Sequence, residues 1–490
     1  PLPRRRTIYF DDARHYYLYV YEPPLRLEDA VAPVDQVAGT GVDTFIYGVA
    51  CRGLFYPSQV GGLCFAHERP FKEEFGVAFW RALSNLESLI DRGIDPLEIL
   101  VDRAHERGLE FIASLRMGDN PEIDAHRLSR GGRGLAAPEV RDFLLALVEE
   151  LLAYEIDGLE LDFAAWPAID WFFHPDEAAA SAGMLTDWVG QVADAVGRSG
   201  PGRCLGARIL PHEAMNEEHG LAVRDWLSRG HLDFAVPLCY YPSVLDPDLP
   251  LDWIVEAAHA SDAAVYGFLH PDRSDGTRDF DPRSYATTEM LRAAAANYVD
   301  RGVDGLYTWF MPWPLGPEQR SFLQEMSDFE ALKDGDKQYC LRRRNPGTAA
   351  LGYDAPLPVE VPYGHPHRLH EISFHIADDL EAQAARVQRV LLRLNVADLV
   401  TADRITLLLN GESLWTQRCR RSTCTPLDPY TGQWLEFDLV DVRPRPGRNL
   451  LALSLDGRPP DLECAVRLDD FELRIEYGPY PASGPAQREP

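Results

Sequence analysis

Short apolar runs alternate with longer amphipathic ones along the first two thirds of the chain. "TIYF", "VDTFIYG", "LEFIASLR", "DGLELDF", "CLGARIL", "DFAVPLCYY", "AAVYGFL" and "GLYTWF" are brief, apolar and rich in β-branched or aromatic residues, the pattern of buried strands. Between them, "DPLEILVDRAHERG", "PEVRDFLLALVEELLAYE" and "TTEMLRAAAANYVDRG" carry helical spacing. Several of these close as helix–Gly–apolar–Asp, where glycine supplies the left-handed stop before the next strand. Eight β–α units in roughly 330 residues predict an α/β fold of the (β/α)8 TIM-barrel type. The stretch 50–95, after the second strand, is too long for a simple connection. It reads as a loop insertion on the functional face of a barrel spanning 1–334.

Beyond Asp334 the pattern changes. Residues 335–369 are rich in Gly, Pro and charge and read as a linker wrapping the barrel. From His370, "EISFHIA", "VLLRLNV", "RITLLLNG", "WLEFDLVDV", "NLLALSL" and "DDFELRIEY" alternate in polarity between turn signals. They predict a C-terminal antiparallel β-sandwich over 370–480, an accessory module of about seven to nine strands. "ITLLLNGESL" reads as a strand entering an Asn-Gly hairpin turn. The tail 481–490, "PASGPAQREP", is expected to be disordered.

Charge narrows the partners. The 490 residues carry 77 acids against 48 Lys and Arg, a net charge of −29, which disfavours nucleic acid and anionic membrane surfaces. No apolar run approaches a membrane span. The start, "PLPRRRTIYF", lacks the apolar stretch and cleavage site of a signal peptide, which favours the cytoplasm while leaving a trimmed leader open. Eight scattered cysteines without a CxxC argue against zinc and thioredoxin-like chemistry. Several read as buried thiols; Cys419 and Cys424 flank a basic loop and could pair in an oxidising compartment. "HPHRLHEISFH" gathers four histidines, read as surface and packing in preference to a metal site. With no phosphate loop and no GxSxG elbow, neither a cofactor nor a serine esterase is expected.

One strand breaks the apolar rule: "DGLELDFAAW" holds Asp157, Glu160 and Asp162. Side chains alternate along a strand, so Glu160 and Asp162 share one face while Leu159, Leu161 and Phe163 share the other. The apolar set must meet the outer helices, which turns the acids into the barrel. Asp162 is nearer the C-terminal mouth, where barrel enzymes keep their chemistry, and Glu160 is one layer deeper. Asp157 reads as a turn residue. Interior acids can equally be structural, bonded to Arg or Tyr.

The strand resembles "DGxDxDxE", the signature of family 18 chitinase-like barrels, but the acidic glutamate falls at Ala164. A second resemblance covers residues 7 to about 315. "YFDD", "YPSQVGG", "SLRMGDN", "YEIDGLELDF" and "ARILP", in that order, resemble a bacterial group of glycoside-hydrolase-like barrels that includes the exo-sialidases of glycoside hydrolase family 156. The resemblance places the family's first acid on Asp12, with Asp11 adjacent, its arginine on Arg116 and the following acid on Asp119. Gly118 stands where the motif has Asn, Pro121 where the family has its catalytic His, and Phe310 where it has an Asn on strand eight. His126 and His15 are the nearest substitute imidazoles.

The residue types point the same way without the resemblance. Glycoside hydrolysis needs one group to protonate the leaving oxygen and another to attack or to activate water. Asp11, Asp12, Asp119, Asp162 and Glu213 all follow predicted strand ends, and Trp166, Tyr240, Tyr241, Trp309 and Trp313 bring aromatic faces suited to a sugar ring. Each aromatic is also an ordinary core residue. The expected function is a glycoside hydrolase acting on a terminal sugar, with an acidic sugar such as sialic acid included. Asp12 and Asp162 are the expected catalytic pair, helped by Asp11, Asp119 and His126. Arg116 and Arg208 would read a substrate carboxylate or else form internal salt bridges. Glu160, Glu213, Trp166, Tyr240, Trp309, Trp313 and His15 complete the expected sugar site. Two alternatives stand: a non-catalytic carbohydrate-binding barrel, and a lyase or isomerase of uronic-type sugars. A homo-oligomer is compatible with all three.

Overall fold

Every one of the eight apolar runs forms a strand. In the computed structural model these are β1 Thr7–Asp12, β2 Thr44–Gly48, β3 Glu110–Arg116, β4 Gly158–Asp162, β5 Cys204–Ile209, β6 Phe234–Pro237, β7 Ala264–Leu269 and β8 Gly305–Trp309. They pair in parallel in sequence order, and β8 returns to β1, so the sheet closes into a barrel. The structure describes residues 6–12, 18–72, 75–165, 168–239, 244–273, 285–309, 311–344, 349, 352–423 and 432–478. His15, Trp166, Tyr240, Tyr241, Phe310, Cys424 and the tail 481–490 lie outside them.

Paired residues on neighbouring parallel strands share a face, so the register fixes the barrel interior. Ile8, Phe10, Ile46, Ile112, Phe234, Val236, Tyr266, Phe268, Tyr307 and Trp309 form its apolar cluster. The fit is close at Gly206, where a Cβ would lie 2.0 Å from the Phe234 ring. At the N-terminal end Arg6 bonds Glu110 at 2.9 Å and the Tyr266 hydroxyl at 2.9 Å, closing the floor with a charge pair. The insertion after β2 is tied to the helix Pro138–Leu151, whose Glu150 accepts from the Tyr56 hydroxyl at 3.0 Å and from the Gln59 amide at 2.6 Å.

The chain divides into two compact units, residues 1–241, 250–271 and 301–327 in one and 242–249, 272–300 and 328–490 in the other. The first contains all eight barrel strands. The second is built on antiparallel sheets: β9 Lys337–Cys340, β10 Val359–Val361, β11 His370–Ile376, β12 Val387–Ala397, β13 Arg404–Leu409, β14 Glu412–Ser413, β15 Arg420–Thr423, β16 Gln433–Asp438, β17 Gly447–Gly457 and β18 Val466–Tyr477. One sheet runs β10-β18-β12-β16-β15 with β9 also on β18, and the other runs β11-β17-β13-β14. Ile372, Leu392, Leu407, Leu453 and Leu473 share one core, which makes the pair sandwich-like. Two of these strands, β9 and β10, come from the 335–369 stretch read as linker. The helix Thr288–Asp300, between β7 and β8 in sequence, belongs to this second unit. Its Asn297 donates to the His375 carbonyl at 2.9 Å, and Asp300 meets the His375 ring at 2.8 Å. Among the described residues no helix is long and apolar enough to cross a membrane.

Candidate active site

The C-terminal ends of β1, β3, β4 and β5 carry two buried ion pairs. Arg116, Asp162 and Arg208 are register partners on β3, β4 and β5, so their side chains enter the barrel side by side. Asp12 on β1 is matched by Gly48 on β2, which has no side chain to intervene. Arg116 therefore reaches past β2, and its Nη2 donates to Asp12 Oδ2 at 2.7 Å. Both partners are almost wholly shielded from solvent.

Asp162 is held from two sides. Its Oδ1 accepts the backbone N–H of Ala164 at 3.1 Å and of Ala165 at 2.9 Å. Its Oδ2 faces Arg208 Nη1 at 3.1 Å. The Arg208 guanidinium lies among aromatic rings, with its Cζ 4.6 Å from the centre of Phe10, 5.3 Å from Trp309 and 5.9 Å from Tyr307. Cation–π attraction helps to offset the desolvation of a wholly buried charge.

Glu160 lies one layer below and is fully buried. Ser114 donates to its Oε1 at 2.7 Å and the Tyr307 hydroxyl does so at 3.3 Å. Its Oε2 has no hydrogen-bond partner. Burial pushes this carboxyl up to about 7; the Asp162 charge adds to the rise, while Arg208 and the two hydroxyls oppose it. Burial and the Glu160 charge also raise the Tyr307 phenol far above its ordinary value.

A fourth acid joins from the loop after β3. Asp119 Oδ1 accepts from Arg127 at 3.1 Å, and its Oδ2 stands 3.4 Å from Cys51 Sγ and 3.7 Å from Arg116 Nη1. Arg127 in turn lies 5.3 Å over the Trp171 ring. Trp171 explains the glycine of "RMGDN": a Cβ on Gly118 would lie 2.3 Å from the indole.

The expected site residues thus separate. Asp12, Asp162, Arg116, Arg208, Asp119 and Trp309 come together at the barrel mouth, with Glu160 one layer beneath them. Asp11 alternates away from Asp12 onto the outer face of β1, where both oxygens are buried without a hydrogen-bond partner. Burial, with the Asp12 charge second, raises its carboxyl well above the usual range. Glu213 begins the helix Glu213–Glu218 and pairs with Arg224, outside the cluster. It lines a separate groove with Trp253 and Val223. His126 ends the short 3-10 helix Pro121–His126 and is half-buried, while Trp313 lies in the partly exposed turn after β8. Among the described residues no three His, Cys, Asp or Glu side chains gather as a metal site.

The sequence reading passed over His270, the residue just beyond β7. It follows Tyr266 and Phe268 on the inward face and packs edge-on against Trp309, with ring centres 5.6 Å apart. Strand alternation in "YGFLH" was the available signal. Cys51 and Arg127 are brought in by loops and had none.

No protein-family model matches the chain, and no curated protein matches it. Among solved structures, alpha-L-fucosidase isoenzyme 2 from Paenibacillus thiaminolyticus is similar at a TM-score of 0.41 and 12% identity, over 66% of this chain and 49% of that one. The chain thus spans about half the length of that enzyme. An alpha-L-fucosidase from Vibrio sp. strain EJY3 is similar over 96% of both chains, at a TM-score of 0.38 and 11% identity. The Bacillus cereus spore cortex-lytic enzyme SleL is similar over 66% of this chain and 75% of its own, at 0.38 and 12%. These likenesses are distant.

Proposed function

We propose that the protein is a glycoside hydrolase that cleaves a terminal sugar, with Asp12 and Asp162 as its working carboxylates. The observation that carries this reading is the pair of arginine-held acids, Asp12 with Arg116 and Asp162 with Arg208, on strands β1 and β4 of one barrel mouth. The chemistry needs two carboxyl groups fixed on opposite sides of a glycosidic bond. The arginines and the Ala164 and Ala165 amides supply the fixing. In this reading Asp162, held at Oδ1 by two backbone amides and facing Arg208 with Oδ2, faces the anomeric carbon or its attacking water. Asp12 exchanges the proton with the leaving oxygen. His270 and Trp309 form the sugar-facing wall, and His270 takes over the imidazole role that the sequence had left to His126 or His15.

An acidic sugar is the finer reading. Its support is the number of guanidinium groups at the mouth, with Arg127 joining Arg116 and Arg208. Because each of these also holds a carboxylate, a neutral sugar is the direct competitor. A panel of aryl glycosides with acidic and neutral sugars tests both. Turnover of at least one member is expected, with a loss of roughly 10²–10⁴ in kcat/KM for Asp12→Asn and for Asp162→Asn. A non-catalytic saccharide-binding barrel is the second reading, favoured by the same ion pairs if their role is structural. It predicts saccharide binding by calorimetry without turnover of any glycoside.

A further inference from the structure

Below the catalytic layer the barrel holds a carboxyl group whose place the two-acid scheme does not use. Glu160 and Asp162 stand on the same face of β4, one layer apart, and Arg208 from β5 faces both. The guanidinium is 3.1 Å from Asp162 Oδ2 and lies against the ring of Tyr307, whose hydroxyl bonds Glu160. One cation therefore serves two acids in a volume with no access to solvent. Paired to Asp162 it balances one negative charge and leaves nothing for a second. Glu160 Oε1 takes both available hydroxyls, while its fully buried Oε2 has no partner. That is the environment of a neutral carboxylic acid, because an ionised one would leave a bare oxygen in an apolar core.

We propose that Glu160 is a positioning residue for the catalytic pair: as the acid it leaves Arg208 to Asp162, and as the carboxylate it draws Arg208 down and releases Asp162 from its clamp. The inference deepens the glycosidase reading and relies on it for its consequence in turnover. The change is a single ionisation, with the proton passing from Glu160 to buffer, the Arg208 ion pair shifting with it and no covalent bond formed or broken. The groups facing Glu160 decide where it occurs. Asp162 on its own strand favours the acid, while Arg208 from β5, Ser114 from β3 and Tyr307 from β8 favour the carboxylate. Burial outweighs these three, which places the ionisation near neutrality, inside the range an enzyme meets.

The device is coupled to the site through packing. Arg208 fills the space between Phe10, Tyr307 and Trp309, so it cannot shift without moving the Trp309 ring on which His270 rests. One proton at the second layer thus governs both the Asp162 clamp and the aromatic wall. A Glu160 that merely filled space would have no such effect.

The test compares structures of the full-length parent and Glu160→Gln at about pH 5.5 and about pH 8.5, on either side of the ionisation. In the parent, Arg208 is expected on Asp162 at the lower pH and displaced toward Glu160 at the higher. In Glu160→Gln, which cannot ionise, it is expected on Asp162 at both. Tyr307→Phe and Ser114→Ala each remove a hydroxyl that favours the carboxylate, so each should move the Arg208 displacement to higher pH. These variants also serve if Glu160→Gln does not fold. An Arg208 that keeps Asp162 at both pH values in the parent overturns the proposal, as does one that moves equally in Glu160→Gln. On any glycoside the parent turns over, kcat/KM should fall tenfold per pH unit above the ionisation, and Glu160→Gln should lack that limb. If no glycoside is turned over, the hydrolase reading fails, and the Arg208 position still decides the inference.

Discussion

The acids at this mouth differ in what their loss would leave behind. Asp162→Asn removes the charge beside Arg208, which is wholly buried. Breaking a buried pair from one side typically costs about 3–5 kcal/mol. In Asp12→Asn, Arg116 keeps a second acid, Asp119, at 3.7 Å, so the loss should be smaller. Denaturant unfolding of the two variants should show the larger fall for Asp162→Asn. Equal midpoints would mean that Asp119 does not compensate Arg116 for the loss of Asp12. Glu160 makes a prediction of opposite sign. Its carboxyl is raised from 4.5 to about 7 in the folded protein, so between those values the native state holds a proton that the unfolded chain has released. Stability contributed by Glu160 is therefore full below about pH 4.5 and lost as pH rises toward 7, a fall on the order of 3 kcal/mol. Glu160→Gln should flatten that part of the stability–pH curve. A parent curve with the same slope as the variant's would rule the raised value out.

Among the elements, the strands were legible because each is a compact apolar run, and a parallel barrel buries its strands on both faces. The β9 and β10 strands were not, since Pro- and Gly-rich flanks hide a four-residue and a three-residue strand inside what reads as linker. The inward placement of Glu160 and Asp162 followed from alternation, while Arg116 and Arg208 were legible only as residues at strand ends. Their partners were not legible, because the contact between Arg116 and Asp12 depends on Gly48 leaving a gap one strand away, and register across strands is not written along the chain. Glu213 misled for a related reason: it follows β5 closely, yet it opens a helix that turns it toward Arg224. The loop after β3 offers the sharpest test at this scale. Gly118 has φ +123°, and Trp171 occupies the place of any Cβ. Gly118→Ala should cost at least about 2 kcal/mol through strain and overpacking. It should also lower activity by displacing Asp119 and Arg127. An unchanged melting temperature would show that the Trp171 contact is soft.

For the whole molecule, the sequence suggested a barrel that ends at Asp334 and an accessory sandwich after it. The helix Thr288–Asp300 complicates that division, because its Asn297 and Asp300 are bonded to His375 and its Ala293 joins the sandwich core. A chain ending at Asp334 would lose those partners and leave the buried Asn297 amide short of an acceptor, at a cost of about 1–3 kcal/mol. Its urea midpoint should fall below that of the full chain; an equal midpoint would show that the helix is held without the sandwich. The two-carboxylate chemistry, however, belongs to the mouth of the intact protein. The most direct measurement is kcat/KM on the glycoside panel for the parent, Asp12→Asn and Asp162→Asn, each shown to be folded at the assay temperature. Turnover by the parent is expected, with losses of roughly 10²–10⁴ in both variants; parent-like rates in either folded variant would rule out Asp12 and Asp162 as the working carboxylates.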